Sequence, residues 1–203
     1  HSLEKVKKNE KYKNTILQNY LINNSNDEFD HTFFLKCIHS FNNKNSIIRY
    51  PIDTEIVMHL RLGDLVTNEE RFLQKDYISL IKEIINKNKK IKKLTIVTCY
   101  QYSPFSEDSF HLAPKKDIWI YSNEKQNKNK ESLSDLIKLI EKNFELKIKI
   151  HSNTNIDKDL SYCVFAKHLI TDVGGFDELI KTLNKNYIKN NFNKNNLNLE
   201  LKK

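Results

Sequence analysis

Short apolar blocks alternate with amphipathic stretches from residue 55 to residue 183, and this alternation decides the fold class. Ile56, Val57, Met58 and Leu60 follow Pro51 and predict a buried strand over residues 55–60. The β-branched run at 93–100 predicts a second strand, and Asp117-Ile-Trp-Ile-Tyr121 a third. Alternation over 146–151 predicts a fourth strand and residues 168–172 a short fifth. Between them the apolar period lengthens to that of a helix. Residues 76–88 turn Tyr77, Leu80, Ile81, Ile84 and Ile85 inward. Residues 132–144 do the same with Leu133, Leu136, Ile137, Leu139, Ile140 and Phe144. Ser132 is placed to cap that helix, with Asp135 in capping-box position, and residues 125–130 before it read as a solvated loop. Asp157 and Asp159 suit the first turn of a helix running to about residue 167, where carboxylates complement the dipole. Gly174-Gly175 opens a last helix, and the Asn/Lys-rich chain from Asn184 onward is expected to fray. Strand and helix in alternation imply an α/β, Rossmann-like fold: a mostly parallel sheet with helices on both faces.

Before this core, residues 3–23 carry a partly helical period. Residues from Asp30 to Phe41 predict a buried helix face of Phe33, Phe34, Cys37, Ile38 and Phe41. The expected organisation is an N-terminal helical segment over 1–50, a Rossmann-like nucleotide-sugar-binding domain over 51–185 and a polar tail over 186–203. The irregular stretch 101–116, with Pro104 and Pro114, either covers a pocket or pads an edge of the sheet.

Composition changes this picture little. With 203 residues, 38% hydrophobic and 30% charged, the chain suits one water-soluble domain with a full core. The net charge of +8 is scattered through Lys/Asn turns. No recognition helix, zinc-finger spacing or aromatic RNA-binding motif accompanies it, so nucleic acid is not the expected partner, whereas an anionic small molecule is. No apolar run reaches membrane-spanning length and no leader pattern is seen, although an anchor in a longer parent chain stays open. Cys37, Cys99 and Cys163 are far apart in apolar surroundings, which points to buried free thiols in a cytoplasmic or other reducing compartment. His31 and His39 lack partners at metal-ligand spacing and read as packing or surface residues.

The candidate chemistry gathers at two strand ends. His59, Arg61 and Asp64 fall within six residues at the end of the first strand, and Gly63 lets a ligand approach the main chain there. In an open α/β sheet this is the ligand-binding edge. Arg61 has the planar fork that suits a phosphate or carboxylate; the alternative is an Arg61–Asp64 pair that only ties a loop to the sheet. Gly174-Gly175 begins a helix whose first amides are unpaired and can receive an anion, an arrangement that elsewhere is often no more than a turn.

His59-Leu-Arg-Leu-Gly-Asp64 resembles the His-x-Arg-x-Gly-Asp motif of the fucosyltransferase superfamily that includes the α-1,2- and protein O-fucosyltransferases. Ile118-Trp-Ile-Tyr-Ser-Asn-Glu124 and the segment from Asp157 to Ile180 are similar to later parts of that family in the same order. The resemblance implies the donor-binding lobe of a GT-B glycosyltransferase and an inverting, metal-independent transfer of fucose from GDP-fucose to a hydroxyl of a glycan or protein. Residue by residue, it implies that Arg61 holds the β-phosphate and that His59 and Asp64 fix the loop beside the donor. Gly63, Ser122, Asn123, Gly174, Gly175 and Phe176 would line the nucleotide. Three features depart from the family pattern. Leu62 stands where many members carry a second arginine, and Gly175 and Asp177 stand where hydroxyl residues are common. About fifty residues precede the motif, fewer than an acceptor lobe needs. Glu69, Glu70 and Asp108 are loop carboxylates from which no catalytic base stands out. The alternative is a non-catalytic nucleotide- or glycan-binding domain that keeps the same fold.

Overall fold

The computed structural model describes residues 31–45, 50–62, 76–98, 123–152 and 156–189. The chain runs α1 (His31–Asn45), β1 (Glu55–Leu60), α2 (Tyr77–Lys87), β2 (Lys93–Thr98), α3 (Asn123–Asn143), β3 (Lys147–Ser152), α4 (Ile156–Val164), β4 (His168–Ile170) and α5 (Gly175–Lys189). The expected helix over 3–23, the strand over 117–121 and the 101–116 stretch lie outside the described residues.

The sheet is α/β and Rossmann-like. Its described strands lie in the order β3-β2-β1-β4, and every pairing between them is parallel. β1 is fully buried and pairs on both sides, with Glu55 opposite Lys93 through Leu60 opposite Thr98 on one flank, and Ile56 opposite His168 through Met58 opposite Ile170 on the other. A strand buried on both faces reads as a continuous apolar run, which is why its limits agree with the sequence expectation.

The chain divides into two compact units. The first comprises residues 52–154 and 168–173 and holds the sheet, α2 and α3. Alternate residues of a strand face opposite sides of the sheet. Ile56, Met58, Leu60, Leu94, Ile96 and Ile170 share a core with Tyr77 and Ile81 of α2 and with Leu133, Leu136 and Ile140 of α3. Asp76 caps α2 through its carboxylate, which accepts the Ser79 amide at 2.8 Å and the Ser79 hydroxyl at 2.5 Å. These bonds hold the Asp76 carboxyl below its ordinary pKa.

α3 corrects three expectations. Residues 125–130 are helical, and Ser132 lies inside the helix, not at its cap. Asp135 pairs instead with Lys138 at 3.0 Å. Lys, Glu and Gln are good helix formers, so the helix extends N-terminally with no apolar stripe to announce it. Leu139, expected inward, is exposed.

The second unit comprises residues 1–51, 155–167 and 174–203. In it α1, α4 and α5 pack against one another. Phe34, Leu35, Cys37, Ile38 and Phe41 are buried on α1. An aromatic cluster joins the elements: Phe165 lies with ring centroids 5.0 Å from both Tyr50 and Tyr187, and the Tyr50 hydroxyl shares a 2.8 Å hydrogen bond with His39 Nδ1. His39 is therefore a packing residue. α4 stops at Val164, three residues short of expectation, and a turn closed by Ala166 N–H donating to Cys163 O follows. Asp157 and Asp159 occupy its first turn as expected.

The expected fraying from Asn184 does not occur: α5 continues to Lys189. Asn184 is buried, and its amide donates to the carbonyls of Val164 (2.9 Å) and Ala166 (2.7 Å), which satisfies the open end of α4. Cys37 and Cys163 are buried free thiols, while Cys99 is outside the described residues. Burial first, then the nearby Asp159 and Asp177 carboxylates, push the Cys163 thiol well above its ordinary pKa. The thiolate is disfavoured there, which makes Cys163 a poor nucleophile.

Candidate functional site

In a doubly wound sheet, ligands bind where neighbouring strands lead to connections on opposite sides, at the strands' C-terminal ends. The strand order places that switch between β1 and β4. Arg61 is the first residue past β1, and Asp172 is the second past β4.

The two are joined. The Arg61 backbone N–H donates to Asp172 Oδ2 at 3.1 Å. On the other side of the same peptide bond, the Leu60 carbonyl accepts the Thr98 hydroxyl at 2.7 Å. The last β1–β4 pair is Met58 opposite Ile170, so Asp172 supplies a side-chain acceptor where the ladder has ended. Thr98 closes β2 on the opposite flank. The Leu60–Arg61 peptide is thus gripped from both neighbouring strands at the point where the chain leaves the sheet. Arg61 itself is half-buried and Leu62 is buried.

His59 lies on β1 opposite Val97, which is opposite His151 of β3. In a parallel sheet these three share a face. His59 is buried and His151 half-buried. Burial, then Lys149 and Lys93, hold the His151 imidazolium below its ordinary pKa, with Glu55 opposing them. Toward the N-terminal end of the same face, buried Glu55 accepts Lys93 Nζ at 2.7 Å, the Thr95 hydroxyl, and the Ile52 amide at 3.3 Å. Its carboxylate is satisfied by these donors and ties β1 to β2; it lies at the end of the strand away from Arg61.

The remaining expected site residues fall as follows. Gly63, Asp64 and Ser122 are outside the described residues. Asn123 is the first residue of α3. Gly174, Gly175 and Phe176 form the junction into α5, in the second unit. Gly174 has φ 119°, a left-handed backbone that other residues rarely adopt, and its carbonyl accepts the Glu178 amide at 3.0 Å. Gly175 is exposed, and a Cβ there would meet nothing within 4 Å. Asp177 is buried in the first turn of α5, where its charge complements the helix dipole.

Two residues of this site were missed from the sequence, Thr98 and Asp172. The sequence marks them only as a polar residue ending β2 and another just past β4, with nothing to say what they hold. Among the described residues, no group of three His, Cys, Asp or Glu side chains could hold a metal, and no helix is long and apolar enough to cross a membrane. No protein-family model matches the chain, and comparison with curated proteins and with solved structures gives no match.

Proposed function

We propose that the chain is a nucleotide-sugar-dependent glycosyltransferase of fucosyltransferase type, with GDP-fucose as the donor and a glycan or protein hydroxyl as the acceptor. The observation that carries the reading is the position of Arg61: a guanidinium-bearing residue directly past the central strand, at the switch between β1 and β4, inside His59-Leu-Arg-Leu-Gly-Asp64. In this reading the acceptor oxygen attacks the anomeric carbon while the bond from that carbon to the β-phosphate oxygen breaks. GDP leaves with the electron pair, the acceptor proton passes to a base, and the anomeric configuration inverts. Arg61 stabilises the charge that develops on the departing diphosphate, and a fixed cation there needs no reorganisation during the reaction. His59, inside the sheet, braces the strand that presents it.

The glycine junction of α5 is a second, separate element of the proposal. Open space beside Gly175 suits a close-approaching anion. Buried Asp177 in the same turn weakens the positive end of the helix, and this favours the competing reading of a binding domain without turnover. The test is thermal denaturation with and without millimolar GDP or GDP-fucose, followed by a transfer assay over an acceptor panel. Ligand should raise Tm in the wild-type chain and not in Arg61→Ala. Binding without transfer to any acceptor selects the binding-domain reading, and the absence of a shift with either nucleotide rejects the transferase and the nucleotide-binding domain alike.

A further inference from the structure

We infer that Asp172 and Thr98 are positioning residues for Arg61, acting on it through the Leu60–Arg61 peptide; the ligand side of this inference rests on the donor-site reading above. A parallel ladder fixes a strand only as far as its last pair. β1 outruns its pairing with β4 by two residues, Met58 being the last. Beyond Met58 the strand is paired on its β2 side alone, Leu60 opposite Thr98. The two side-chain bonds restrict the Leu60–Arg61 peptide further, from both flanks. One takes the peptide N–H toward β4 and the other takes the peptide carbonyl toward β2, in opposite directions as an extended peptide requires.

An arginine side chain has several rotors, and ordering it costs binding energy. Fixing the backbone from which it springs lowers that cost before any ligand arrives, so the contribution appears in affinity as preorganisation. Asp172 Oδ2 accepts the Arg61 amide in this arrangement. The effect comes from that accepted bond, so an uncharged acceptor of the same shape should serve equally.

The experiment compares Asp172→Ala, Asp172→Asn, Thr98→Val and Thr98→Ser with the wild-type chain in two measurements. Hydrogen exchange reads the Arg61 amide against the Met58 amide, which lies inside the paired region. Titration calorimetry below Tm reads the affinity for GDP. Asp172→Ala and Thr98→Val should speed Arg61 exchange relative to Met58 by at least about tenfold and weaken GDP by a similar factor. Asp172→Asn keeps an acceptor oxygen and Thr98→Ser keeps the hydroxyl, and both should stay near wild type. Unchanged exchange at Arg61 in Asp172→Ala overturns the inference. So does a loss of affinity in Asp172→Asn equal to that in Asp172→Ala, which would mean the charge touches the ligand. A fall in Tm with unchanged Kd in all four variants also overturns it, because the clamp would then be structural only. A wild-type chain that binds no GDP rejects the donor reading, while the clamp still stands or falls on the exchange ratio.

Discussion

Lys93 Nζ lies 2.7 Å from Glu55 Oε1 across the β1–β2 pairing, and the Glu55 side chain is only 1% exposed where that of Lys93 is 17% exposed. The asymmetry matters. Glu55 is desolvated and depends on its donors, whereas Lys93 keeps part of its hydration. Replacing one member of a buried pair strands the other, at about 3–5 kcal/mol when both are fully buried. Glu55→Ala strands the part-hydrated Lys93 and should therefore fall below that figure in urea denaturation. Glu55→Gln should cost clearly less, because its amide oxygen still accepts from Thr95. Equal losses in the two variants would show that charge, not hydrogen bonding, holds the site together.

Asn184 bridges two carbonyls at the end of α4, and only a donor can do so. Asn184→Ala leaves both acceptors without it and should destabilise the fold by about 1–3 kcal/mol. Asn184→Asp sets an acceptor-only carboxylate against two carbonyl oxygens and should be worse at neutral pH than Asn184→Ala. Chemical denaturation of the pair at pH 7 and again near the carboxylate pKa would check both the order and its narrowing in acid.

The adjacent glycines should separate backbone strain from ligand access. Gly174→Ala forces a Cβ into a left-handed conformation and should cost roughly 1–2 kcal/mol of stability. Gly175→Ala meets no neighbour and should leave stability unchanged or slightly raised, since alanine favours the helix. If the junction admits a nucleotide, Gly175→Ala should nevertheless weaken GDP binding. Equal affinity in Gly175→Ala and wild type would reject an anion-binding role for this junction.

His151 gives a pH dependence with a defined sign. Its folded-state pKa is lowered from 6.5, chiefly by burial and then by Lys149 and Lys93. The unfolded chain therefore binds the proton more readily than the folded one. The contribution is fully present above pH 6.5 and is lost as the pH falls through the lower folded value. Half-exposure keeps the effect small. Tm should decline over this acid range, and the decline should be shallower in His151→Gln. An NMR titration of the His151 ring giving a pKa above 6.5 would reverse the sign.

The elements that apolar spacing could announce were legible. β1 shows its limits through an unbroken run from Ile56 to Met58, and α2 through Tyr77, Ile81 and Ile84. The parallel fold class followed from their alternation. The first eight residues of α3 carry no apolar stripe and were hidden, because helix propensity and attachment to the Leu133–Ile140 anchor sustain them. The last turns of α5 were hidden by a composition that resembles a tail, although Tyr187 packs on Phe165 and Asn184 on α4. In the candidate site, Arg61 and His59 could be named because their types are costly to bury near a strand end. Asp172 and Thr98 could not. Their roles depend on register between strands, and Asp172 is 111 residues from the amide it holds.

The strand order also carries a consequence for synthesis. β1 finds its β2 neighbour within about forty residues of chain, but its other flank waits for β4, more than a hundred residues later. While a ribosome is still extending the chain, the central strand stands with one side unsatisfied and open to wrong partners. The grip on Arg61 closes only when Asp172 emerges. Fragments ending before β4 should therefore keep α2 and β2 on β1, with the Thr98 hydroxyl still on the Leu60 carbonyl, yet leave the Arg61 amide without its Asp172 acceptor.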